Sequence, residues 1–383
     1  MAFGAALSEH PLTTHAVGEV IGAVLERVGE QPDLALLFVT QAHGGAMEDI
    51  AATVRAALKP TTLLGCTASS VVGNAREVEE RPAVALWAGH VGLVLPVVLR
   101  LESRPDGTAI VGWPAEPPPG ASALVLLADP FTFPTDAFLR GLREQADTTL
   151  PVVGGMASAG QGPGGNRLVA DSSIVTEGAV GALVGGVRVD SVVSQGCRPV
   201  GAPFVVTRAE SSPHGTRIYE LGGRPALERL QELVSGMAAD DRALLQRGLH
   251  LGRVIDEQRV EYRRGDFLIR NVLGGDPETG MLQVADEVEV GGTVQFQVRD
   301  GASADEDLRE MLSGRQADGA LLFTCNGRGT RLFGVPDHDA GVLADQFGQA
   351  AVAGMFCQGE IGPVGSESFV HGFTASVALF RSG

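Results

Sequence analysis

The chain alternates between helical and strand-like spacing of its apolar residues. Over residues 15–28 apolar side chains recur every three or four positions, which predicts an amphipathic helix behind the capping candidates Thr13 and Thr14. The largely apolar run at 33–40 predicts a buried strand. A second helical pattern then leads to an apolar run at 61–64 that ends in glycine. This order predicts a strand–helix–strand crossover unit with two parallel strands.

The same order of patterns recurs twice, over residues 124–153 and 320–357. Both units end beside glycine, at Gly154-Gly155 and at Gly354. We interpret the three units as a weak internal repeat of right-handed crossovers. The alternative is that unrelated units of an α/β protein look alike.

Shorter apolar runs separated by turn residues predict antiparallel strands at 91–101, 167–175, 179–187 and 191–196. The glycine-rich segment 160–165 suits a hairpin tip, or alternatively a cover over a pocket. A boundary is expected near residue 221, followed by two helical stretches and a strand at 250–256. The fold class expected is α/β, in mixed α+β form. Its two domains, 1–221 and 222–383, would each pack mixed sheets with helices.

Composition narrows the class of protein. With 383 residues and 44% hydrophobic content the chain can bury substantial cores. A formal charge of −17 without a basic stripe argues against nucleic-acid binding. No apolar run approaches the roughly 18 residues of a membrane helix, so a cytoplasmic protein without a membrane partner is expected. Four widely spaced cysteines predict reduced thiols, and no metal site is expected.

Polar and reactive side chains follow several of the predicted strands. In open α/β sheets ligands bind beyond the carboxyl ends of parallel strands, so these residues are candidates for a small-ligand site. The candidates are Cys66, Thr67, Ser69, Asp129, Phe131, Ser158, Cys325, Asn326, Arg328, Cys357, Glu360 and His371.

Three of these side chains suit an amino-acid-like ligand. Arg328 could clamp a carboxylate, and Asp129 or Glu360 could hold an ammonium group. Each also has a structural alternative. Arg328 could form a salt bridge that fixes the turn around it, Glu360 could bond nearby backbone, and Asp129 could form an Asx turn before Pro130.

A cysteine-dependent enzyme is a second hypothesis. It would use Cys325 or Cys357 as nucleophile and His371 or His338 as base. Cys325 could equally be a small buried apolar residue at a strand end. Phosphate-binding loops, HExxH, GxSxG and dinucleotide-binding spacing are all absent from the sequence. An enzyme is therefore the less favoured expectation.

Several motifs together resemble the FIST (F-box and intracellular signal transduction) family. The C-terminal set is residues 320–329, 333–334, 354–363 and 371–376, which include CNGRG, GMFCQGEIGP and HGFTAS. The N-terminal set is 65–67, 77–87, 129–131, 153–155 and 194–199. The resemblance covers nearly the whole chain and implies an N-terminal plus a C-terminal FIST domain.

The resemblance also implies a function. Members of the family are proposed sensory modules for small ligands such as amino acids, and some resemble haem-binding nitric-oxide sensors. Haem is thus a candidate cofactor, and it would need a proximal histidine or cysteine that the sequence does not single out. Relatives often carry an output domain. Because the two FIST-like domains fill this chain, a protein signalling partner is expected to supply the output.

Overall fold

The computed structural model describes residues 2–105, 107–145, 150–212, 215–245 and 248–382. The chain forms two compact units. The first contains residues 1–194 and 308–383, and the second contains residues 195–307. These two compact units differ from the domains expected from the sequence, 1–221 and 222–383. The difference arises because the last part of the chain packs with the first part.

Helices make up the smaller part of the described structure. They are α1 (Thr13–Val28), α2 (Met47–Leu58), α3 (Thr135–Gln145), α4 (Ala226–Gly236), α5 (Ala239–Leu245), α6 (Gly301–Leu312), α7 (Thr330–Phe333) and α8 (His338–Phe347), with a 3-10 helix at Gln41–Ala46. Helix α1 begins one residue after Leu12, and no side chain caps it. The expectation that Thr13 and Thr14 precede the helix was wrong, since both lie within its first turn.

Three sheets build the first unit. The first sheet, in spatial order, is β1 (Phe3–Ser8), β6 (Val84–Gly89), β2 (Leu34–Thr40), β3 (Thr62–Ala68), β11 (Leu168–Ala170) and β12 (Ser173–Val175). The second is β26 (Glu367–His371), β25 (Glu360–Val364), β10 (Val152–Met156), β9 (Ala121–Ala128), β13 (Ala179–Gly185), β7 (Leu93–Arg104) and β8 (Gly107–Val111). The third is β14 (Arg188–Gln195), β27 (Thr374–Arg381), β23 (Gly319–Cys325), β24 (Ala351–Cys357), β4 (Ser70–Gly73) and β5 (Arg76–Glu79).

Each of these sheets is built around one parallel pair with antiparallel strands on both sides. The pairs are β2 with β3, β9 with β10, and β23 with β24. Helices α2, α3 and α8 lie between the paired strands in the sequence. The mixed α/β class and the three crossover units predicted from the sequence are thereby confirmed.

The hairpins that complete the sheets are exchanged among them. β4 and β5 follow β3 in the sequence, but β4 pairs with β24. β11 and β12 follow β10, but β11 pairs with β3. β25 and β26 follow β24, but β25 pairs with β10. Because each sheet borrows a hairpin from another part of the chain, the three sheets form one compact unit.

Apolar faces explain how the layers pack. The Val17, Val20, Ile21 and Val24 side chains on α1 and the buried face of α2 lie in one core with Ala35, Leu37 and Val39 of β2. The alternate residues of β2, Leu36 and Phe38, belong to a different core shared with β23 and β24. A strand that is buried on both faces has a continuously apolar sequence, as residues 34–39 do.

The predicted strand at 167–175 is in fact a tight hairpin. β11 and β12 pair with each other around Asp171, whose φ of 56° lies in the left-handed region. Asp171 Oδ1 accepts the Leu63 N–H and an Arg55 N–H, and these bonds fix the turn. An aspartate tolerates this conformation better than most residues, so the turn carries no glycine signal.

The second unit is antiparallel. Its strands are β15 (Cys197–Pro199), β16 (Phe204–Ser212), β17 (Gly215–Leu221), β18 (Arg224–Pro225), β19 (Leu249–Val254), β20 (Phe267–Asp276), β21 (Met281–Val284) and β22 (Thr293–Arg299). β22, β16, β17, β21, β20 and β19 pair in that order, and β19 pairs with β22 to close the ring. Helices α4 and α5 pack with its apolar core.

Among the described helices, none combines the length and the apolar character required to cross a bilayer.

Candidate functional site

The second strands of the three parallel pairs, β3, β10 and β24, end in the same region of the first unit. The Ser158 N–H donates to the Thr67 carbonyl across 3.3 Å, and the Gln358 N–H donates to the Met156 carbonyl across 3.1 Å. These bonds join the end of β3 to that of β10, and the end of β10 to that of β24. The side chains that follow the three strands are therefore neighbours.

A glycine occupies the same register position in each of these strands. Gly65, Gly154 and Gly354 lie opposite Leu37, Leu126 and Leu322 of the parallel partner. A Cβ added to the glycines would lie 2.4, 1.8 and 1.8 Å, respectively, from the carbonyl oxygen of that leucine. The glycines therefore set the close packing within the strand pairs.

A cleft of about 430 Å³ opens where the strands end. Two of the candidates from the sequence, Ser69 and Ser158, line it, and so do Gly160 and Gln161 of the glycine-rich segment. The remaining lining residues are Thr40, Gln41, Ala42, Glu80, Arg81, Pro82, Ala159 and Gln358. Polar groups of several kinds thus face a space large enough for a small molecule.

The two serines are fixed by hydrogen bonds. Ser158 Oγ accepts the Ser69 N–H at 3.0 Å and donates to the Phe356 carbonyl at 2.6 Å. Ser69 Oγ donates to Asn326 Oδ1 at 2.8 Å. Thr67 Oγ1 accepts the Arg167 N–H, and Thr67 is buried. Hydrogen bonds within the chain therefore fix the floor of the cleft.

Opposite charges stand side by side on the cleft wall. Glu80 and Arg81 are both exposed. Glu80 pairs with Arg331 at 2.5 Å, and Arg81 pairs with Glu9 at 3.0 Å. Ion pairs this exposed contribute little to stability, so a ligand can compete for them at small cost.

Asp129 forms the Asx turn considered as its structural alternative. Its Oδ2 accepts the Phe131 N–H and the Thr132 hydroxyl, and its Oδ1 accepts an N–H of Asn166. Asp129 is completely buried, whereas the Phe131 side chain is 38% exposed. Neither residue lines the cleft.

Arg328 is completely buried and holds a carboxylate of the chain itself. Its Nε and Nη2 donate to Asp339 Oδ2 and Oδ1 at 2.7 and 2.8 Å. Asp339 also accepts the Thr324 hydroxyl, and it contacts His338 Nδ1. These partners hold the pKa of Asp339 well below its usual range although burial alone would raise it. Arg328 Nη1 is buried and makes no hydrogen bond within the described residues, and the guanidinium lies over the Phe333 ring.

Two buried glutamates lie in the same neighbourhood. Burial raises the pKa of Glu77 to about 8, and the Asp339 charge adds to this effect. Glu77 Oε1 accepts the Ala340 N–H at the start of α8. Burial also raises the pKa of Glu360 to about 8, although the N–H and hydroxyl of Thr374, the Arg328 charge and the Cys325 thiol oppose the rise.

The four cysteines differ in exposure. Cys66, Cys197 and Cys357 are buried, and Cys325 is partly exposed. Burial raises the thiol pKa of Cys66 and of Cys357 well above the ordinary value. Cys325 Sγ accepts the Gly327 N–H at 3.4 Å.

His371 is buried, and its Nε2 lies 2.9 Å from the Gly362 carbonyl. Across the described ranges, no cluster of three or more histidine, cysteine, aspartate or glutamate side chains could hold a metal ion.

Comparison with protein families assigns both halves of the sequence. Residues 33–224 match the FIST N domain, and residues 226–363 match the FIST C domain. The chain belongs to the FIST family. FIST domains are generally thought to be sensory domains of signal transduction that bind small ligands.

Relatives of this FIST protein occur in mycobacteria. An uncharacterised protein of Mycobacterium tuberculosis is 43% identical over 390 residues, which covers 99% of this chain and 100% of the relative. An uncharacterised protein of Mycobacterium bovis is 42% identical over 391 residues, with 99% of each chain covered. The sequence similarity thus extends over nearly the whole length of this chain.

Within this FIST fold, eight of the twelve sequence candidates fall into or near two groups. Ser69 and Ser158 line the cleft, with Asn326 hydrogen-bonded to Ser69. Cys325, Arg328, Cys357 and Glu360 belong to a buried polar cluster that interacts through charge. Cys66 is close to this second group, since its thiol lies 3.1 Å from Met355 Sδ.

Sequence reasoning missed several residues of both groups. Gln358 directly follows the candidate Cys357 at the end of β24, so its position was the available signal. Gln41 follows β2 and lies outside the motifs quoted above. Glu80 and Arg81 follow β5 within the stretch 77–87 that resembles the family, and this stretch was the available signal. Asp339 was not among the candidates, although it directly follows His338, which was considered as a base. Only the tertiary structure brings Asp339 to Arg328.

Proposed function

We propose that this FIST protein binds a small zwitterionic, amino-acid-like ligand in the cleft at the ends of β3, β10 and β24. The observation that carries the proposal is the adjacent pair Glu80 and Arg81 on the cleft wall. A carboxylate can accept an ammonium group while a guanidinium holds a carboxylate, and a zwitterion presents both. The hydroxyl and amide groups of the floor supply further hydrogen bonds.

Arg81 takes the role that the sequence suggested for Arg328. The Arg328 fork is occupied by Asp339, whereas Arg81 is 60% exposed and only its Glu9 pair must be exchanged. Glu80 similarly replaces Asp129 and Glu360 as the ammonium partner. The proposed ligand is the one inferred from the sequence, but different residues bind it.

Thermal-shift and calorimetric titration with the twenty free amino acids tests the proposal. We expect one or a few of them to stabilise the protein, whereas the matching amides and decarboxylated amines do not. Arg81→Ala and Gln358→Ala are expected to weaken binding at least about tenfold, which corresponds to about 1.4 kcal/mol.

Gln231→Ala is the matched control. Gln231 is exposed on α4 and does not line the cleft, so this variant should bind as the parent does. If no amino acid binds, or if Arg81→Ala binds with unchanged affinity, the proposal is wrong.

Haem fits this cleft less well than a zwitterion does. The described lining residues include neither histidine nor cysteine, so the cleft wall offers no customary axial ligand. An absorption spectrum of the purified protein checks this point, since a Soret band would favour haem. We further propose that a protein partner reads the ligand-bound state, because signal transduction requires an output.

A further inference from the structure

Two thiols and a carboxyl group face one another between β23, β24 and β25. Cys325 and Cys357 are direct partners in the parallel register of β23 and β24. Residues paired in this way project to the same face, and adjacent strands lie about 4.8 Å apart. That spacing falls within the Cα separation of about 4.4–6.8 Å found in disulfides. Glu360 influences both thiols through charge or hydrogen bonding.

A backbone N–H and a guanidinium group interact with Cys325. The Gly327 N–H donates to Cys325 Sγ, and the buried Arg328 guanidinium interacts with it through charge. Arg328 Nη1 is fully buried and has no acceptor among the described residues. A positive charge and an N–H donor are the features that make a cysteine reactive.

Glu360 is the second observation that points to chemistry at this place. Its side chain is completely buried, and Oε2 accepts two bonds from Thr374. The Cys325 thiol hydrogen-bonds to the same carboxyl group. The Glu360 carboxyl group is therefore placed to give or take a proton beside the Cys325 sulfur.

From this arrangement we infer that Cys325 is a hydroperoxide-reactive thiol and that Cys357 is its resolving partner. This site is separate from the cleft, and the inference does not depend on what the cleft binds.

The chemistry proceeds in two balanced steps. The Cys325 thiolate attacks the terminal oxygen of a hydroperoxide, an S–O bond forms and the O–O bond breaks. The leaving alkoxide or hydroxide takes the proton of the Glu360 carboxyl group, so Cys325 is oxidised to a sulfenic acid while the peroxide is reduced to an alcohol or water. The Cys357 sulfur then displaces the hydroxyl group, which leaves as water with the Cys357 proton, and a disulfide forms.

The test treats the full-length reduced protein with hydrogen peroxide and, in parallel, with tert-butyl hydroperoxide. We expect intact mass spectrometry to show loss of two hydrogen atoms, and peptide mapping to find one Cys325–Cys357 disulfide. In Cys357→Ser, dimedone should trap a sulfenic acid at Cys325. Cys325→Ser should show neither product, and circular dichroism checks that each variant is folded.

Two further variants separate a chemical from a structural role. Cys197→Ser removes a buried thiol of the second unit and should leave disulfide formation unchanged. Glu360→Gln keeps the shape of the side chain but loses the acid, and it should slow peroxide consumption at least about tenfold and flatten its pH profile.

Three results would overturn the inference. The first is an unmodified wild-type protein after peroxide treatment. The second is oxidation of Cys66 or Cys197 as fast as that of Cys325. The third is a Cys357→Ser protein in which dimedone labels no residue. The peptide map of the wild-type protein decides the matter even if one of the variants does not fold.

Discussion

The Arg328 and Asp339 pair has essentially no exposed surface, with side-chain exposures of 0% and 1%. A buried charge is tolerated only while its partner remains, so the two residues depend on each other. The pair joins the turn after β23 to the start of α8, and Thr324 adds a third bond. At the scale of the residue, loss of either partner would leave the other charge buried and unpaired.

Arg328→Leu is expected to lower the free energy of unfolding by about 3–5 kcal/mol, because Asp339 would be left buried and unpaired. Arg331→Leu is the control, since its pair with Glu80 is 63% and 66% exposed and should contribute no more than about 1 kcal/mol. Urea denaturation measures both variants. Equal losses for the two would contradict the assignment.

The buried glutamates predict a pH dependence of stability. Folding raises the pKa of Glu77 and of Glu360 from 4.5 to about 8, so the folded state binds more protons than the unfolded state within this interval. Their protonated forms are favoured in the fold, and stability falls as the pH rises through the interval. Glu77 faces Asp339, Glu79 and Arg328, and Glu360 faces Arg328 and Cys325.

The effect of the two glutamates on stability is best measured in the upper part of this pH interval, where His250 does not titrate. The pKa of His250 is lowered from 6.5 to about 4, which makes stability rise with pH at lower values. Between about 6.5 and about 8 we expect the urea midpoint to fall, and to fall less in Glu77→Gln combined with Glu360→Gln. An identical slope in the double variant would refute this explanation.

At the scale of the element, close packing within the parallel strand pairs depends on glycines that can be recognised in the sequence. The sequence predicted the strand–helix–strand order because apolar periodicity and glycine positions are local signals. It did not predict that Gly65, Gly154 and Gly354 share one register position. That equivalence is a property of strand pairing, which no single segment encodes.

Gly354→Ala is expected to destabilise the protein by at least about 2 kcal/mol, because the added Cβ would meet the Leu322 carbonyl oxygen. Gly22→Ala provides the contrast. Nothing lies within 4 Å of its added Cβ, and alanine favours a helix, so it should stabilise α1 by about 0.5–1 kcal/mol. Thermal unfolding of both variants gives the comparison, and a neutral Gly354→Ala would show that the strands can separate.

At the scale of the whole molecule, the second unit is a segment inserted into the chain of the first. Its two ends meet, since the Gln195 N–H donates to Asp307 Oδ2 at 2.8 Å. The closed strand ring has its own apolar core around Leu251, Phe296 and Val298. A segment with adjacent ends and a separate core has what an independent domain needs.

The isolated segment 195–307 is therefore expected to fold alone and to unfold in one cooperative transition. Circular dichroism with urea titration tests this expectation, and the isolated segment 1–194 is the counterpart. That segment lacks β23, β24, β25 and β27, so it should not fold cooperatively. A disordered 195–307 fragment would show that this unit depends on the remainder of the chain.

The sequence by itself determined the α/β class, the three crossover units and the family, because periodicity, glycine spacing and motifs are written along the chain. It also placed Ser69 and Ser158 at strand ends, where the structure has a cleft, since strand ends are local features. Only the tertiary structure decided that Arg328 binds Asp339, that Glu80 and Arg81 line the cleft, and that the hairpins are exchanged among sheets. These outcomes depend on contacts between separate strands, turns and helices, and such contacts form only when the elements pack around the common core.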